Sequence, residues 1–361
     1  MNRRLSHVIA SAAVCLFVGG WARAEVFELP PAGHDVVGAL STVIARHDDT
    51  LLDIARRHGL GYEDIVRANP DVDTWLPGEG TEVVLPTRFV LPPGPRRGVV
   101  LNLAEYRLYY FPDPKAGERA VVMTYPISIG RMDWATPLGR TSVVSKVRNP
   151  SWYVPESIRA EHAAEGDPLP RIVPPGPKNP LGKHAMRLGL PGYLIHGTNR
   201  PAGVGMRVTH GCIRMFPEDI GFLFEQIPVN TPVRIINEPV KVGWDGDELV
   251  VEAHRVLESA PPEPDDVEGN DETLVVPLTE NAAESVDAEL GLGGDKGAEP
   301  ALPPVKDSMT MLTEQFVAAT DLRPGELDWR AAQLILDRAS GIPAPVGRAI
   351  ENAAANAGSS N

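Results

Sequence analysis

Cys212 stands in Val208-Thr209-His210-Gly211-Cys212-Ile213-Arg214, and a second histidine, His196, precedes it within Ile195-His196-Gly197-Thr198. A thiol of ordinary acidity, with a pKa of about 8.5, is only a few per cent thiolate at neutral pH, so a nucleophilic cysteine needs a base within hydrogen-bond reach. Two histidines qualify. His196 ends a strand-like run, Tyr193 to Ile195, and its ring can project over a site at a sheet edge. His210 lies two residues before the thiol, and such a pair shares a face only where the chain is extended. Residue type and spacing leave the two unranked. Gly211 permits a sharp turn or a positive φ, which would let the backbone N–H groups near Gly211 and Cys212 converge on a developing oxyanion. A zinc site is disfavoured, because one cysteine and two histidines at irregular spacing are too few ligands.

The remaining cysteine, Cys15, falls in an apolar run from Val8 to Gly20 that follows Arg3-Arg4 and ends at Ala22-Arg23-Ala24. That order is expected of a secretory signal, residues 1–24, cut after Ala24. Ala12-Ala13-Val14 is a poor context for lipid attachment at Cys15, so that cysteine would leave with the signal. An exported chain with one remaining thiol, in an oxidising compartment, needs a reason to keep it.

The chain has 361 residues and a formal charge of -14, enough length for about two domains. Much of the charge sits between Ser259 and Ser308, with about 13 acids against Lys296 and Lys306; this segment is rich in Pro, Gly, Ala and Glu and is expected to be a disordered acidic linker, 259–308. No basic patch argues for nucleic acid, and after signal removal no apolar run approaches the ~18 residues that span a bilayer. Leu51, Ile54, Ala55 and His58 repeat at helical spacing behind a Thr50/Asp53 capping-box pattern, Gly59 closes that helix, and Tyr62 to Ala68 makes a second one stopped by Asn69-Pro70. A weak strand, Thr42 to Ala45, and a better one, Thr81 to Leu85, flank the pair. From Gly98 the pattern turns to strands: Val99–Leu103, Arg107–Phe111, Val121–Ile129, Thr141–Val147, Tyr193–Ile195, Val233–Ile236 and Leu249–His254. One helix follows the cysteine, with Pro217 near its start and Phe216, Ile220, Phe224 and Ile227 on one face. A proline-rich insertion, Asn149 to Pro180, carries Trp152, Tyr153 and a short helical pattern; it reads either as a lid or as a surface excursion. Asp328 is placed to cap a C-terminal helix bearing Trp329, Ala332, Ile335 and Leu336.

Two stretches resemble known families. Asp49-Thr50-Leu51, Ile54-Ala55, Gly59, Ile65, Asn69-Pro70, Leu76-x-Gly78 and Val83-x-Leu85-Pro86 are similar to the LysM pattern, which implies a small βααβ module over 39–87 that binds peptidoglycan glycans. Ile195-His196-Gly197-Thr198, the loop with Gly203 and Gly205, Thr209-His210-Gly211-Cys212-Ile213-Arg214, and Thr136-Pro137-Leu138-Gly139 after Ile129-Gly130 resemble the signature of the YkuD-type L,D-transpeptidases, in their ErfK/YbiS/YcfS-like branch. The resemblance implies a mainly β catalytic domain of sandwich or barrel type over 97–237; the sequence pattern adds trailing strands, 238–258, and, past the linker, a helical segment, 309–346. It implies a periplasmic enzyme with no cofactor and no metal. Cys212 would be the nucleophile and His196 its base, oriented by the carbonyl of Gly197 and later activating the incoming amine. His210, Gly211 and Thr209 would shape the acyl site, and Arg214 would pair with a substrate carboxylate. The expected donor is a peptidoglycan tetrapeptide stem that loses D-alanine. The acceptor is the C-terminal lysine of an outer-membrane lipoprotein, or diaminopimelate in a 3→3 cross-link. A wall-cutting hydrolase and a non-catalytic peptidoglycan-binding scaffold are the alternatives. Because Thr50 to Pro86 carries no candidate nucleophile, the module is expected to localise an enzyme whose chemistry is complete from about Arg97 onward.

Overall fold

The computed structural model describes residues 25–132, 134–257 and 306–350; the expected signal, 1–24, and the linker as far as 305 lie outside them. A nine-stranded mixed sheet dominates. Its order is Glu25–Glu28, Val121–Pro126, Arg107–Phe111, Gly98–Asn102, Pro232–Ile236, Gly139–Arg148, His184–Leu188, Leu194–His196 and Ile213–Arg214. Two neighbouring pairs are parallel, Gly98–Asn102 with Pro232–Ile236 and Leu194–His196 with Ile213–Arg214. Gly139–Arg148 pairs with Pro232–Ile236 through its first four residues, then from Val143 onward with His184–Leu188, with a register shift between Val143 and Ser145. One strand thus serves two neighbours along its length, and the sheet curls.

Every residue of Gly98–Asn102 and Arg107–Phe111 is buried, which requires cover on both faces. Alternation sorts the side chains. Val99, Leu101, Leu108 and Tyr110 face one core with Ile220, Leu223 and Phe224 of helix Pro217–Gln226. Val100, Tyr109, Phe111 and Val122 face the other way, into a core shared with Leu51, Ile54, Leu60, Ile65, Val83 and Phe89. That second core belongs to a βααβ unit: strand Ser41–Ile44 pairs antiparallel with Glu82–Leu85, enclosing helices Leu51–Arg57 and Tyr62–Ala68. Thr50 and Asp53 make the predicted capping box, each side chain accepting from the other's backbone N–H at 3.1 Å.

The expectation of an independent module gives way here. Besides the shared core, Arg56 holds Glu218 with two bonds of 2.7 and 2.9 Å, and Arg107 pairs with Asp64 inside the protein. Gly61 and Gly205 pack backbone to backbone, so a Cβ on Gly205 would meet the nitrogen of Tyr62 at 2.3 Å. The Tyr62 N–H donates to the carbonyl of Val204 at 3.0 Å. Strand Glu25–Glu28, ahead of the unit, adds an edge to the main sheet; four residues alternating between half-buried and exposed are too short a signal to mark it in the sequence.

The C-terminal expectation also needs correcting. Residues 306–350 contain helices Ser308–Thr320 and Trp329–Arg338 but also strands Gly325–Leu327 and Ala344–Ala349. The strands complete a four-stranded antiparallel sheet with Val240–Asp245 and Glu248–Ala253. Ala332, Leu336, Met311 and Leu312 pack on Val240, Val251 and Val346, so the trailing strands, not the catalytic core, receive the apolar helix faces. Neither strand has a legible sequence pattern, because one is three residues long and the other carries Pro345 and Gly347 beside a register shift. The first helix starts at Ser308 under an Asp307 cap, inside the stretch expected to be linker.

Buried charge joins the three parts. Lys241 lies 2.9 Å from both Glu105 and Glu252, and Glu252 accepts the Val90 N–H at 2.6 Å and pairs with His254 at 2.7 Å. Burial alone would raise the Glu252 carboxyl, but Lys241 and His254 hold it ionised. Among the described residues no helix is long and apolar enough to cross a membrane.

Candidate active site

The parallel pairing of Leu194–His196 with Ile213–Arg214 brings the two halves of the motif together. Ile195 is in register with Ile213, and His196 with Arg214. Since side chains alternate along extended chain, Cys212, Arg214 and His196 fall on one face. The Met215 N–H continues the ladder to the His196 carbonyl at 2.9 Å. Cys212 is half-buried, forms no disulfide among the described residues, and its thiol points at the Gly192 carbonyl, 3.5 Å away.

His196 is 5 % exposed and its Nδ1 lies 2.6 Å from the Gly197 carbonyl. A carbonyl only accepts, so Nδ1 carries the proton and Nε2 presents the lone pair. Burial, reinforced by the charge of Arg214 and opposed by the Gly197 carbonyl, lowers the His196 pKa to about 3. The ring is neutral at any physiological pH.

Gly211 has φ +89°, a conformation that strains any residue with a Cβ. Its carbonyl accepts from the Thr136 hydroxyl at 2.8 Å, and the Cys212 carbonyl accepts from the Thr209 hydroxyl at 2.6 Å. In a trans peptide the N–H opposes the C=O, so the Cys212 N–H is turned away from Thr136. Thr209 is buried, with its hydroxyl committed to this loop. The Thr-Pro-Leu-Gly segment therefore acts on the cysteine through one hydroxyl.

Arg214 is largely buried, and its Nε has no hydrogen-bond partner among the described residues. Burial, then the charge of Arg200, lowers its pKa, while Cys212 opposes the change. Gly203 lies beside its guanidinium, where a Cβ would be 3.5 Å from a terminal nitrogen. A desolvated guanidinium with an unsatisfied N–H at one end of the cleft is suited to an anion.

The insertion packs on the cluster that Cys212 also joins. Trp152–Tyr153 pairs with Ile172–Val173, and helix Glu156–Ala164 lies between them. Trp152 and Tyr153, like Cys212, pack against Leu181 and Leu194. Buried Asn179 ties the base of the insertion, donating to the Pro150 carbonyl at 2.8 Å and accepting from the Leu181 N–H at 2.9 Å. The aromatics and Asn179 fix the insertion to the domain, next to the cluster that Cys212 joins. Its helix supplies a residue that the sequence motifs do not single out: Glu161 sits 2.9 Å from His210 Nε2 and 2.8 Å from Arg131. Trp134 meets the His210 ring edge-on, with centroids 5.0 Å apart. Nothing in the local pattern around Glu161 separates it from any surface glutamate on a short helix.

The site is thus a curled, mainly β domain that sets Cys212 on the same sheet face as a carbonyl-oriented histidine. Residues 96–235 match the model of the L,D-transpeptidase catalytic domain. The chain belongs to the L,D-transpeptidase family and is an enzyme of that class. It is 39% identical over 288 residues to the probable L,D-transpeptidase YcfS of Escherichia coli (strain K12), covering 78% of this chain and 86% of that one. With the probable L,D-transpeptidase ErfK/SrfK of Salmonella typhimurium it shares 41% over 235 residues, 64% of this chain and 74% of the relative. Among solved structures, L,D-transpeptidase 3 from Mycobacterium tuberculosis overlaps 43% of this chain and 66% of its own, at 22% identity and a TM-score of 0.28.

Proposed function

We propose that the protein is an exported, periplasmic transpeptidase that works through a Cys212 acyl-enzyme on peptidoglycan tetrapeptide stems. Sγ attacks the carbonyl of the L-centre of diaminopimelate, the C–S bond forms, and D-alanine leaves as the C–N bond breaks. The thioester then passes to an amine, either a lipoprotein's C-terminal lysine or a second diaminopimelate. The observation that carries this reading is the tautomer of His196. Its Nδ1–H is spent on the Gly197 carbonyl, so the Nε2 lone pair is the one on offer to the thiol. Arg214 supplies the anion partner for a stem carboxylate, Gly211 and Cys212 the amides for the oxyanion, and Thr209 and Thr136 the hydroxyls that fix the loop. The βααβ unit is read as a LysM-type glycan-binding element that holds the enzyme on the wall.

The test is covalent labelling. A carbapenem should add once to the intact protein, and Cys212→Ala should abolish the adduct together with D-alanine release from tetrapeptide muropeptides. His196→Ala should slow acylation by ~10²- to 10⁴-fold, and His210→Ala by less. Labelling that survives Cys212→Ala would end the proposal.

A further inference from the structure

We infer that the seam between the βααβ unit and the catalytic domain is a saccharide subsite, which holds the amino sugar bearing the donor stem while Cys212 attacks that stem. The inference rests on the acyl-enzyme reading above and names what the enzyme grips besides the peptide. A groove of about 430 Å³, counting the open solvent within it, lies where helices Leu51–Arg57 and Tyr62–Ala68 face the short turn Pro201–Gly203. Leu60, Val204 and Phe216 are its buried apolar lining, and Asp53, Arg56 and Tyr62 its more exposed polar lining. A sugar ring is divided the same way, with apolar C–H faces edged by hydroxyls, and an apolar pocket with a few placed polar groups suits it. Arg56 is fixed for the task. Glu218 holds its guanidinium with two bonds of 2.7 and 2.9 Å, 5.4 Å from the centre of the Phe216 ring. Asp53, Arg56, Leu60 and Tyr62 come from the N-terminal unit, Val204 and Phe216 from the catalytic domain, so the groove exists only while the two are docked.

Position selects the occupant. Ile213 and Met215 join the catalytic core, so along this extended chain Cys212, Arg214 and Phe216 fall on the opposite face. The Met215 N–H bond to the His196 carbonyl and the extended backbone of Phe216, ψ 144°, carry that line to the start of helix Pro217–Gln226. At about 3.3 Å per residue, Phe216 lies about 13 Å from Cys212 along the chain, with Arg214 midway.

The stem has a matching length. It hangs from its amino sugar by its N-terminus, and the carbonyl that reacts belongs to its third residue. Three extended residues span about 10–11 Å; a second residue that is a glutamate linked through its side chain lengthens this a little and leaves its α-carboxyl free. Laid along the strand, the stem brings the reacting carbonyl to Cys212, the free carboxyl to Arg214, whose Nε has no hydrogen-bond partner among the described residues, and the sugar to Phe216. Gly203 joins the two outer sites. A Cβ there would lie 3.5 Å from the Arg214 guanidinium, so the turn that bounds the groove also walls the carboxylate position. A sugar held in the groove would raise the local concentration of its own stem at the thiol.

The experiment uses the full chain and two soluble donors, a disaccharide-tetrapeptide and the same tetrapeptide free, and follows D-alanine release and the intact mass of the Cys212 acyl-enzyme. Soluble donors remove attachment to the wall as an explanation. Wild type should acylate from the disaccharide form with kcat/KM at least about tenfold higher, expressed in KM. Ala202→Trp, at an exposed position on the groove wall, should cut that preference to about threefold or less, chiefly by raising KM for the disaccharide form. Leu52→Trp, from the side of the N-terminal unit, should act in the same direction. Equal kcat/KM for the two donors in wild type, or a preference that survives both substitutions, would overturn the inference. Absence of a Cys212 acyl-enzyme with either donor would overturn the underlying function instead.

Discussion

At the scale of the residue, the protein gives its two motif histidines opposite surroundings, one enclosed against a carbonyl and one partly exposed beside a carboxylate. His196 in the unfolded chain takes up a proton near its ordinary pKa of 6.5, whereas in the fold it does so only near about 3. Between those values the unfolded state binds more protons, so stability is complete above pH 6.5 and is drained as pH falls toward 3. Two measurements follow. The His196 ring should keep its neutral NMR signature from pH 8 down to 5. His196→Gln should flatten the stability profile over pH 6 to 4. A His196 ring that protonates near 6.5 would contradict the burial and the Arg214 field that the geometry imposes.

At the scale of the element, helix Pro217–Gln226 carries a cost hidden by its favourable start. Asp219 in its first turn should be stabilised by the helix dipole, yet it is buried and its Oδ2 has no hydrogen-bond partner among the described residues. Burial, then the charge of Glu218, raises its pKa to about 7, against the pull of Arg107 and Arg56. The folded state therefore holds a proton the unfolded state has already lost. The stability it contributes is full below about pH 4 and is lost as pH rises through 7. Asp219→Asn should gain stability over wild type at pH 8, by up to a few kcal/mol, since each tenfold change in proton affinity is worth about 1.4 kcal/mol, and should gain little at pH 4. Denaturant melts at both values decide it; a gain equal at both would show that ionisation is not the cause. The same helix holds Arg56 through Glu218, so an element that follows the cysteine also anchors the N-terminal unit.

At the scale of the whole molecule, the N-terminal unit is part of the catalytic body. Cutting the chain at Arg97 removes the edge strand Glu25–Glu28 and uncovers Val100, Tyr109, Phe111 and Val122. At about 1.5–3 kcal/mol for each large apolar side chain, exposing these four costs roughly 6–12 kcal/mol, comparable to the entire stability of an ordinary domain. A chain starting at Arg97 should be insoluble or unfolded by circular dichroism and should fail to take up carbapenem. Gly205→Val, which forces a side chain against Tyr62, should leave a folded protein with a lowered melting temperature and slower acylation, because the displaced loop also packs on Arg214. A soluble, acylating fragment from Arg97 would restore the picture of a detachable tether.

Much of the chemistry is local in the chain. The cysteine, both histidines, Gly211 and Arg214 lie in one short stretch or at the end of one strand, and a thiol motif is legible because its members are close in sequence. The helices Leu51–Arg57, Pro217–Gln226 and Trp329–Arg338 are equally legible, since caps and 3.6-residue periodicity are local properties. Which histidine serves the thiol is not local. It depends on a parallel register between strands and on a carbonyl that fixes a tautomer. Glu161 reaches His210 across 49 residues of chain, and the short strands Glu25–Glu28, Gly325–Leu327 and Ala344–Ala349 exist because neighbouring strands offer them unpaired edges. Sequence determined which groups are candidates to react and which segments coil, because both depend on near neighbours; the tertiary structure decided protonation, pairing and shared cores, because burial and charge act between residues far apart in the chain.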